Sequence, residues 1–223
     1  MNLRHEWKHQ ITWSDYIALK QRLSAVMTLD PHAENGLYEI RSLYFDNLYD
    51  KALREKIDGV NFREKFRIRY YNGDKSFIVL EKKSKINGLT GKESAVISEA
   101  EAQKIVDGDT DWMTFDSREL VRELHSKMRF QGVKPRTIVD YTRMPFIFKP
   151  GNVRVTIDYN VRTGLDCTDF LDTECPTIPA GDPVMILEVK WDGYLPDIIR
   201  DAVQLGDRRV CAFSKYEACR TYG

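Results

Sequence analysis

Three stretches of the 223-residue chain place an acid and a base two positions apart: Glu6 and Lys8, Glu81 and Lys83, Glu188 and Lys190. A fourth carries bases alone, with Arg63, Lys65, Arg67 and Arg69 at every second position. In a fifth, Arg154 and Asp158 stand four apart. Spacings of two and four put side chains on one face of a β-strand. One such pair fits a solvated outer face; five strands repeating the pattern argue for a shared interior. The four acids Glu6, Glu81, Asp158 and Glu188 cannot neutralise the roughly eight or nine cations of such an interior, and burying an unpaired cation costs several kcal/mol. A polyanion would have to complete the charge. Arg grips phosphate bidentately and Lys supplies a compact point charge. Carboxylates beside phosphates are the hard oxygen ligands that Mg²⁺ or Mn²⁺ requires. The pattern therefore implies a metal–polyphosphate site.

The elements that must position these groups are mostly strands. Leu3 to Ile11 is strand-like, followed by a helix capped by Thr12 or Ser14 with Ile17, Leu19, Leu23, Val26 and Met27 as its apolar stripe. Tyr38 to Asp46 is a strand, and a short helical excursion ends at Gly59. Glu64 to Ile86 reads as a hairpin turning at Asn72-Gly73-Asp74, and Gly91 to Ser98 as a further strand. Ser98 with Glu101, Asp116 with Glu119 and Ser214 with Glu217 have capping-box spacing; the three helices run to about Asp107, to about Phe130 before Gly132, and to the chain's terminal turn. Lys134 to Phe148 reads as two strands broken near Pro145, Asn152 to Gly164 as one, and Pro183 to Gly193 as an apolar strand covered on both faces. Pro196 sits near N1 of a further helix. The polar 164–182 segment reads as an exposed loop. About eight strands with hairpin-like spacing predict an α+β fold: an antiparallel eight-stranded barrel with peripheral helices, whose interior holds one small ligand.

Composition narrows the classes. Lys plus Arg and Asp plus Glu both number 34, so no global basic field for nucleic acid exists. The length suits a single domain over 1–223. Cys167, Cys175, Cys211 and Cys219 form no CxxC pair, and are expected to be free thiols in a reducing compartment. Neither a secretory h-region nor a membrane span is evident, which predicts a soluble cytoplasmic protein. "NGLTGKES" only echoes a phosphate-binding loop; its glycines are too close, and a hairpin fits better. His5 and His9, about 13 Å apart on a strand, are poorly spaced for zinc. Tyr70 and Tyr71 could stack on bases, but acids among the cations argue for core or rim aromatics.

The ordered set "RHEWKH", "YEIRSLYFD", "LREKIDG", "KFRIRYY", "IVLEKKSK", "PRTIVDYTR", "VRVTIDYNV", "ILEVKW" and "FSKY" resembles the VTC domain over essentially the whole chain. That domain is the catalytic part of vacuolar transporter chaperone polyphosphate polymerases, within the triphosphate tunnel metalloenzyme (CYTH-like) superfamily. The usual Glu-x-Glu-x-Lys opening is here Arg4-x-Glu6-x-Lys8, the form VTC-type members tend to have. The resemblance implies a tunnel in which Mg²⁺ or Mn²⁺ helps to move the γ-phosphoryl group of ATP onto inorganic polyphosphate; water as acceptor would make the same site a triphosphatase. It implies that Lys8, Arg67, Arg69, Lys83, Arg136 and Arg143 grip phosphate, that Glu188 binds the metal, and that Ser214 and Lys215 close the site. Arg54 is carried across a loop of variable spacing. Strand parity adds Arg154 and Lys190 as phosphate contacts, and Glu6, Glu81 and Asp158 as metal or supporting groups. Separately, Ser214 would cap a helix whose amino end attracts anions, with Lys215 at N1. A non-catalytic polyphosphate-binding module is the alternative, and a single-strand nucleic-acid binder a third.

Overall fold

The computed structural model describes residues 3–206 and 208–221. Ten strands form one antiparallel sheet: β1 (Leu3–Ile11), β2 (Thr28–Leu29), β3 (Tyr38–Asp46), β4 (Phe62–Tyr71), β5 (Asp74–Ile86), β6 (Leu89–Ile97), β7 (Lys134–Phe148), β8 (Val153–Thr163), β9 (Ile178–Pro179) and β10 (Met185–Trp191). The order β7-β3-β4-β5-β6-β1-β10-β8 returns to β7 through a β7–β8 pairing, so eight strands close into a barrel. The two-residue strands β2 and β9 extend it at β7 and β8. The helices are α1 (Trp13–Val26), α2 (Lys51–Ile57), α3 (Glu99–Asp107), α4 (Glu119–Gln131), α5 (Asp197–Ala202) and α6 (Lys215–Thr221).

Local chemistry sets the ladder. Asn72 and Gly73 both take positive φ, as do Asn87 and Gly88. These two-residue turns match the twist of antiparallel strands and fix the β4–β5–β6 register. "NGLTGKES" is thus a hairpin turn running into β6, which starts at Leu89 rather than Gly91. Capping boxes form at Thr12–Asp15 and Ser98–Glu101. The expected box at Asp116 does not, because its carboxylate is taken by the Arg118 amide and guanidinium; α4 begins at Glu119 without a side-chain cap. At Ser214 only half a box forms. Its hydroxyl accepts the Glu217 amide at 3.4 Å, while Glu217 pairs with Lys56. Pro196 is the N-cap of α5.

Lys134–Phe148 is one strand, not two. Pro145 lies beyond the last β3 partner of β7 and before the first β2 partner, so its missing N–H costs no ladder bond there, and its carbonyl accepts the Asp30 amide. The 164–182 segment is also not a free loop. Phe170, Cys175 and Ala180 are buried, and Arg41 binds the Asp172 and Cys175 carbonyls.

Apolar layers lie outside the barrel. Leu43, Phe66, Ile68, Ile78 and Leu80 pack under Ala102 and Ile105 of α3 and Leu120, Val121 and Leu124 of α4. Val155, Ile157, Leu187 and Val189 pack under Leu19 and Leu23 of α1 and Ile199 of α5. Because the outward face of each strand is apolar, its alternate residues must point inward.

Candidate functional site in the barrel lumen

The inward face gathers charge. On β1 and β10, Glu6 stands opposite Lys190 and Lys8 opposite Glu188, a checkerboard of two acids and two bases. On β4 and β5, Lys65 stands opposite Lys83 and Arg67 opposite Glu81. On β7 and β8, Arg143 stands opposite Asp158. The carboxy-terminal segment crosses the same space: Phe213 accepts a bond from Lys8 through its carbonyl, Ser214 accepts one from Lys65, and Lys215 reaches Asp158 at 2.5 Å.

Each acid has a distinct set of partners. Glu81 takes the Arg67 guanidinium at 2.6–2.8 Å, Lys92 at 3.2 Å and Arg69 at 3.6 Å. Asp158, fully buried, holds Arg143 bidentately at 2.7 and 2.8 Å and also Lys215. Glu6 faces Lys83 at 3.0 Å, Lys8 at 3.4 Å and Lys190 at 3.6 Å. Glu188 has Lys190 at 2.5 Å and Arg143 at 3.8 Å, yet its buried Oε1 receives no hydrogen bond of acceptable angle.

All four are ionised. Burial opposes the charge on Glu6, but Lys83 and the neighbouring ammoniums bring its carboxyl down to about 2. Burial is likewise overcome at Glu81 by Arg69 and Arg67, at Asp158 by Arg143 and Lys215, and at Glu188 by Lys190 and Lys8; all three lie well below the usual carboxylate range. Among the bases, burial and the charge of Lys8 push Lys83 down to about 7. Lys65 is driven well below the usual lysine range by burial and by Lys83, Lys8 and Arg67. Burial would raise the Tyr141 phenol, but Arg143, Arg69 and Lys215 bring it to about 8. Nine basic side chains (Lys8, Lys65, Arg67, Arg69, Lys83, Lys92, Arg143, Lys190 and Lys215) thus converge with four carboxylates.

Most residues expected from the sequence meet here: Lys8, Arg67, Arg69, Lys83, Arg143, Lys190, Ser214 and Lys215, with Glu6, Glu81, Asp158 and Glu188. Arg154 lies on the same face but at the rim, where it pairs with Asp30 at 3.2 Å. Two residues are placed elsewhere. Arg136 is the extra residue of a bulge, between Thr137 opposite Tyr44 and Pro135 opposite Phe45; it approaches Asp50 at 3.7 Å rather than any of the four lumen acids. Arg54 lies on the exposed side of α2. Among the expected metal groups, Glu81 and Asp158 have their oxygens engaged by guanidinium and ammonium groups. Glu6 and Glu188, diagonal neighbours across β1 and β10, are held mainly by single lysine ammoniums, Glu188 Oε1 by Lys190 at 2.5 Å, rather than by a bidentate guanidinium, and are the better donors. Among the described residues no three acidic, histidine or cysteine side chains form a metal cage. Two carboxylates fit a Mg²⁺-like ion that draws its other ligands from phosphate and water.

Several lumen residues were missed. Lys65 was read within the basic strand but not assigned to the site, and Lys92, Tyr44 and Tyr141 were not singled out. Tyr141 donates nothing to an acid; its hydroxyl accepts from Arg69 at 3.1 Å, and Lys215 lies 4.4 Å above its ring. Lys65 was recoverable from its parity with Arg67 and Arg69. At the lumen's floor, buried Asp46 accepts from the Tyr216 hydroxyl at 2.7 Å and from the Ala52 and Leu53 amides, so α2 and α6 are tied to β3.

The wall is incomplete at one seam. β1 and β6 pair only through Leu3 and Arg4, and beyond them Lys92, Ser94 and Val96 on the inner side of β6 are exposed. The freed edge of β1 is partly taken by the Val210–Cys211 stretch. A separate hollow of about 310 Å³ lies outside the barrel beneath the 164–182 segment. Its Arg41 is held by Asp140 and its Arg162 by Thr177, so these charges anchor the segment. His5 stacks on Trp191, and Tyr70 is buried with its hydroxyl bonded to the Phe170 carbonyl. Among the described residues no helix is long and apolar enough to cross a membrane.

Solved structures share this architecture. The PH1012 protein of Pyrococcus horikoshii aligns at a TM-score of 0.52 with 12% identity, covering 97% of this chain and 99% of its own. A candidate adenylate cyclase of Bacillus halodurans aligns at 0.52 with 14% identity, covering 85% and 80%. At these identities the likeness is one of fold. No curated protein matches by sequence. The family model described as "VTC domain" matches residues 3–222. With that match over nearly the whole chain, on a closed eight-stranded barrel, the protein belongs to the VTC domain family.

Proposed function

We propose that this protein is a polyphosphate polymerase, transferring the γ-phosphoryl group of ATP to the end of an inorganic polyphosphate chain inside the lumen. One observation carries the reading: nine basic side chains converge with four ionised carboxylates, so bases outnumber acids in the lumen even where burial weakens the hold of Lys65 and Lys83 on their protons, and a chain of phosphates would balance them.

Phosphoryl transfer asks the protein mainly for positioning and charge stabilisation. Arg67 and Arg69 are oriented by Glu81, and Arg143 and Lys215 by Asp158, so each guanidinium keeps donors to spare for phosphate oxygens. Lys8, Lys83 and Lys190 surround Glu6 and Glu188 and complete the opposite wall. Glu188, with Glu6, would hold Mg²⁺ or Mn²⁺, which supplies charge neutralisation at the transferring phosphate. The acceptor brings its own nucleophilic oxygen, so no side chain need form a covalent intermediate.

Incubation with ATP and Mn²⁺, resolved on a gel that separates chain lengths, tests the reading. Long-chain polyphosphate is the expected product. Free phosphate alone makes the protein a triphosphatase; tight polyphosphate binding with neither product makes it a binding module.

A further inference from the structure

The lumen acids are not shared evenly. Glu81 serves Arg67, Arg69 and Lys92; Asp158 serves Arg143 and Lys215; Glu6 and Glu188 serve Lys8, Lys83 and Lys190. Among the described residues Lys65 has no carboxylate within 4.0 Å. Its Nζ donates only to Ser214 Oγ at 3.2 Å, and lies 5.6 Å from the Tyr44 ring centre and 6.0 Å from that of Tyr216. Directly across the strand pair stands another lysine, Lys83. Like charges directly opposite are destabilising in a ladder. We propose that Lys65, together with Lys83 and the Ser214 hydroxyl, forms a further phosphate subsite of the tunnel. The inference rests on the tunnel being a binder of condensed phosphate, and assigns one more contact to it.

The charged and titratable neighbours of Lys65 come from every side: Arg67 on its own strand, Lys83 on β5, Lys8 and Glu6 on β1, Tyr44 on β3 and Tyr216 on α6. Three of these are cations and one, Glu6, is an acid whose pull is the weakest of the set. Lys65 therefore holds its proton poorly until an anion arrives. A phosphate group in the subsite restores the ammonium, so filling it takes up a proton at pH between the empty-state value of Lys65 and the higher value reached with phosphate bound. The subsite's contribution is complete below that value, and is lost as pH rises through the higher value reached with phosphate bound.

Titration calorimetry with tripolyphosphate, at pH 8 in two buffers of different ionisation enthalpy, reads affinity and proton uptake together. Lys65→Met keeps the packing on the two tyrosines and removes the charge. It is expected to bind about tenfold more weakly, to take up fewer protons, and to melt higher than the wild type when empty. Lys65→Arg, which stays charged at all accessible pH, is expected to keep affinity and also to take up fewer protons than the wild type. Lys104→Met, on the exposed face of α3, should match the wild type. Wild-type affinity and uptake in Lys65→Met would overturn the subsite while leaving the tunnel a phosphate binder. Absence of tripolyphosphate binding in the wild type itself would overturn both.

Discussion

The molecule contains two dense ionic clusters that obey opposite rules. Outside the barrel, Arg118 bonds to Asp116 at 2.7 and 2.8 Å, to Glu101 at 2.5 Å and to the Val96 carbonyl at 2.6 Å. One guanidinium there meets two acids and a carbonyl, and every donor direction is used. The cluster staples α3, α4 and the end of β6. Inside the barrel the acids are too few, Lys65 faces Lys83, and no carboxylate lies within 4.0 Å of Lys65 among the described residues. A structural ion network satisfies its own donors. One that leaves charge open across several strands is organised around something that is not part of the chain.

The largest break in that comparison should come from Glu188→Gln. Metal-dependent turnover of ATP is expected to fall about 100-fold or more, while tripolyphosphate affinity is kept or improved, because an acid has been removed from a cationic hollow. Equal loss of both would mean that Glu188 only holds the wall together. Next, tripolyphosphate at about 100 times its dissociation constant should stabilise the wild type by about 2.7 kcal/mol, and high salt should erase much of the effect. Thermal melts with and without the ligand measure it. Arg118→Ala sharpens the other side: it should cost about 2 kcal/mol of unfolding free energy in urea with tripolyphosphate affinity unchanged. A matching loss of affinity would merge the two clusters into one. The smallest effect concerns Tyr141. Its phenol, brought to about 8 by surrounding cations, becomes an anion as pH rises, adding one negative charge to the lumen. Anion affinity should therefore weaken a few-fold as pH rises through 8, and Tyr141→Phe should flatten that step. Absorbance at the phenolate band gives an independent check.

Parity carried most of the site. Glu6 with Lys8, Arg67 with Arg69, Glu81 with Lys83, Arg154 with Asp158 and Glu188 with Lys190 all share faces as a two-residue period demands. Parity does not say which strands are neighbours. The pairing of Arg67 with Glu81 and of Arg143 with Asp158, which engages two carboxylates that looked free for metal, appears only once the ladder is assembled. Arg136 shows the converse: motif position favours it, but it is the inserted residue of a local bulge and approaches Asp50. Pro145 looked like a strand break because sequence cannot tell an unpaired ladder position from a paired one. The 164–182 segment looked exposed because its polar residues outnumber the few, chiefly Phe170 and Cys175, that pack against the sheet. Asp116 had the right spacing for a box, and Arg118 outcompeted the helix amides for it.

The checkerboard of Glu6, Lys8, Glu188 and Lys190 has a consequence for how the molecule is made. Its two strands come from opposite ends of the chain, whereas β4, β5 and β6 are joined by turns of two residues. Loop-closure entropy delays distant partners relative to near ones. The β4–β5–β6 meander can therefore assemble early with its cations still in water, and desolvation of the lumen waits for β1 to dock on β10. Phosphate present at that moment would speed the docking, so refolding rates in tripolyphosphate should rise with its concentration if the ring is sealed last.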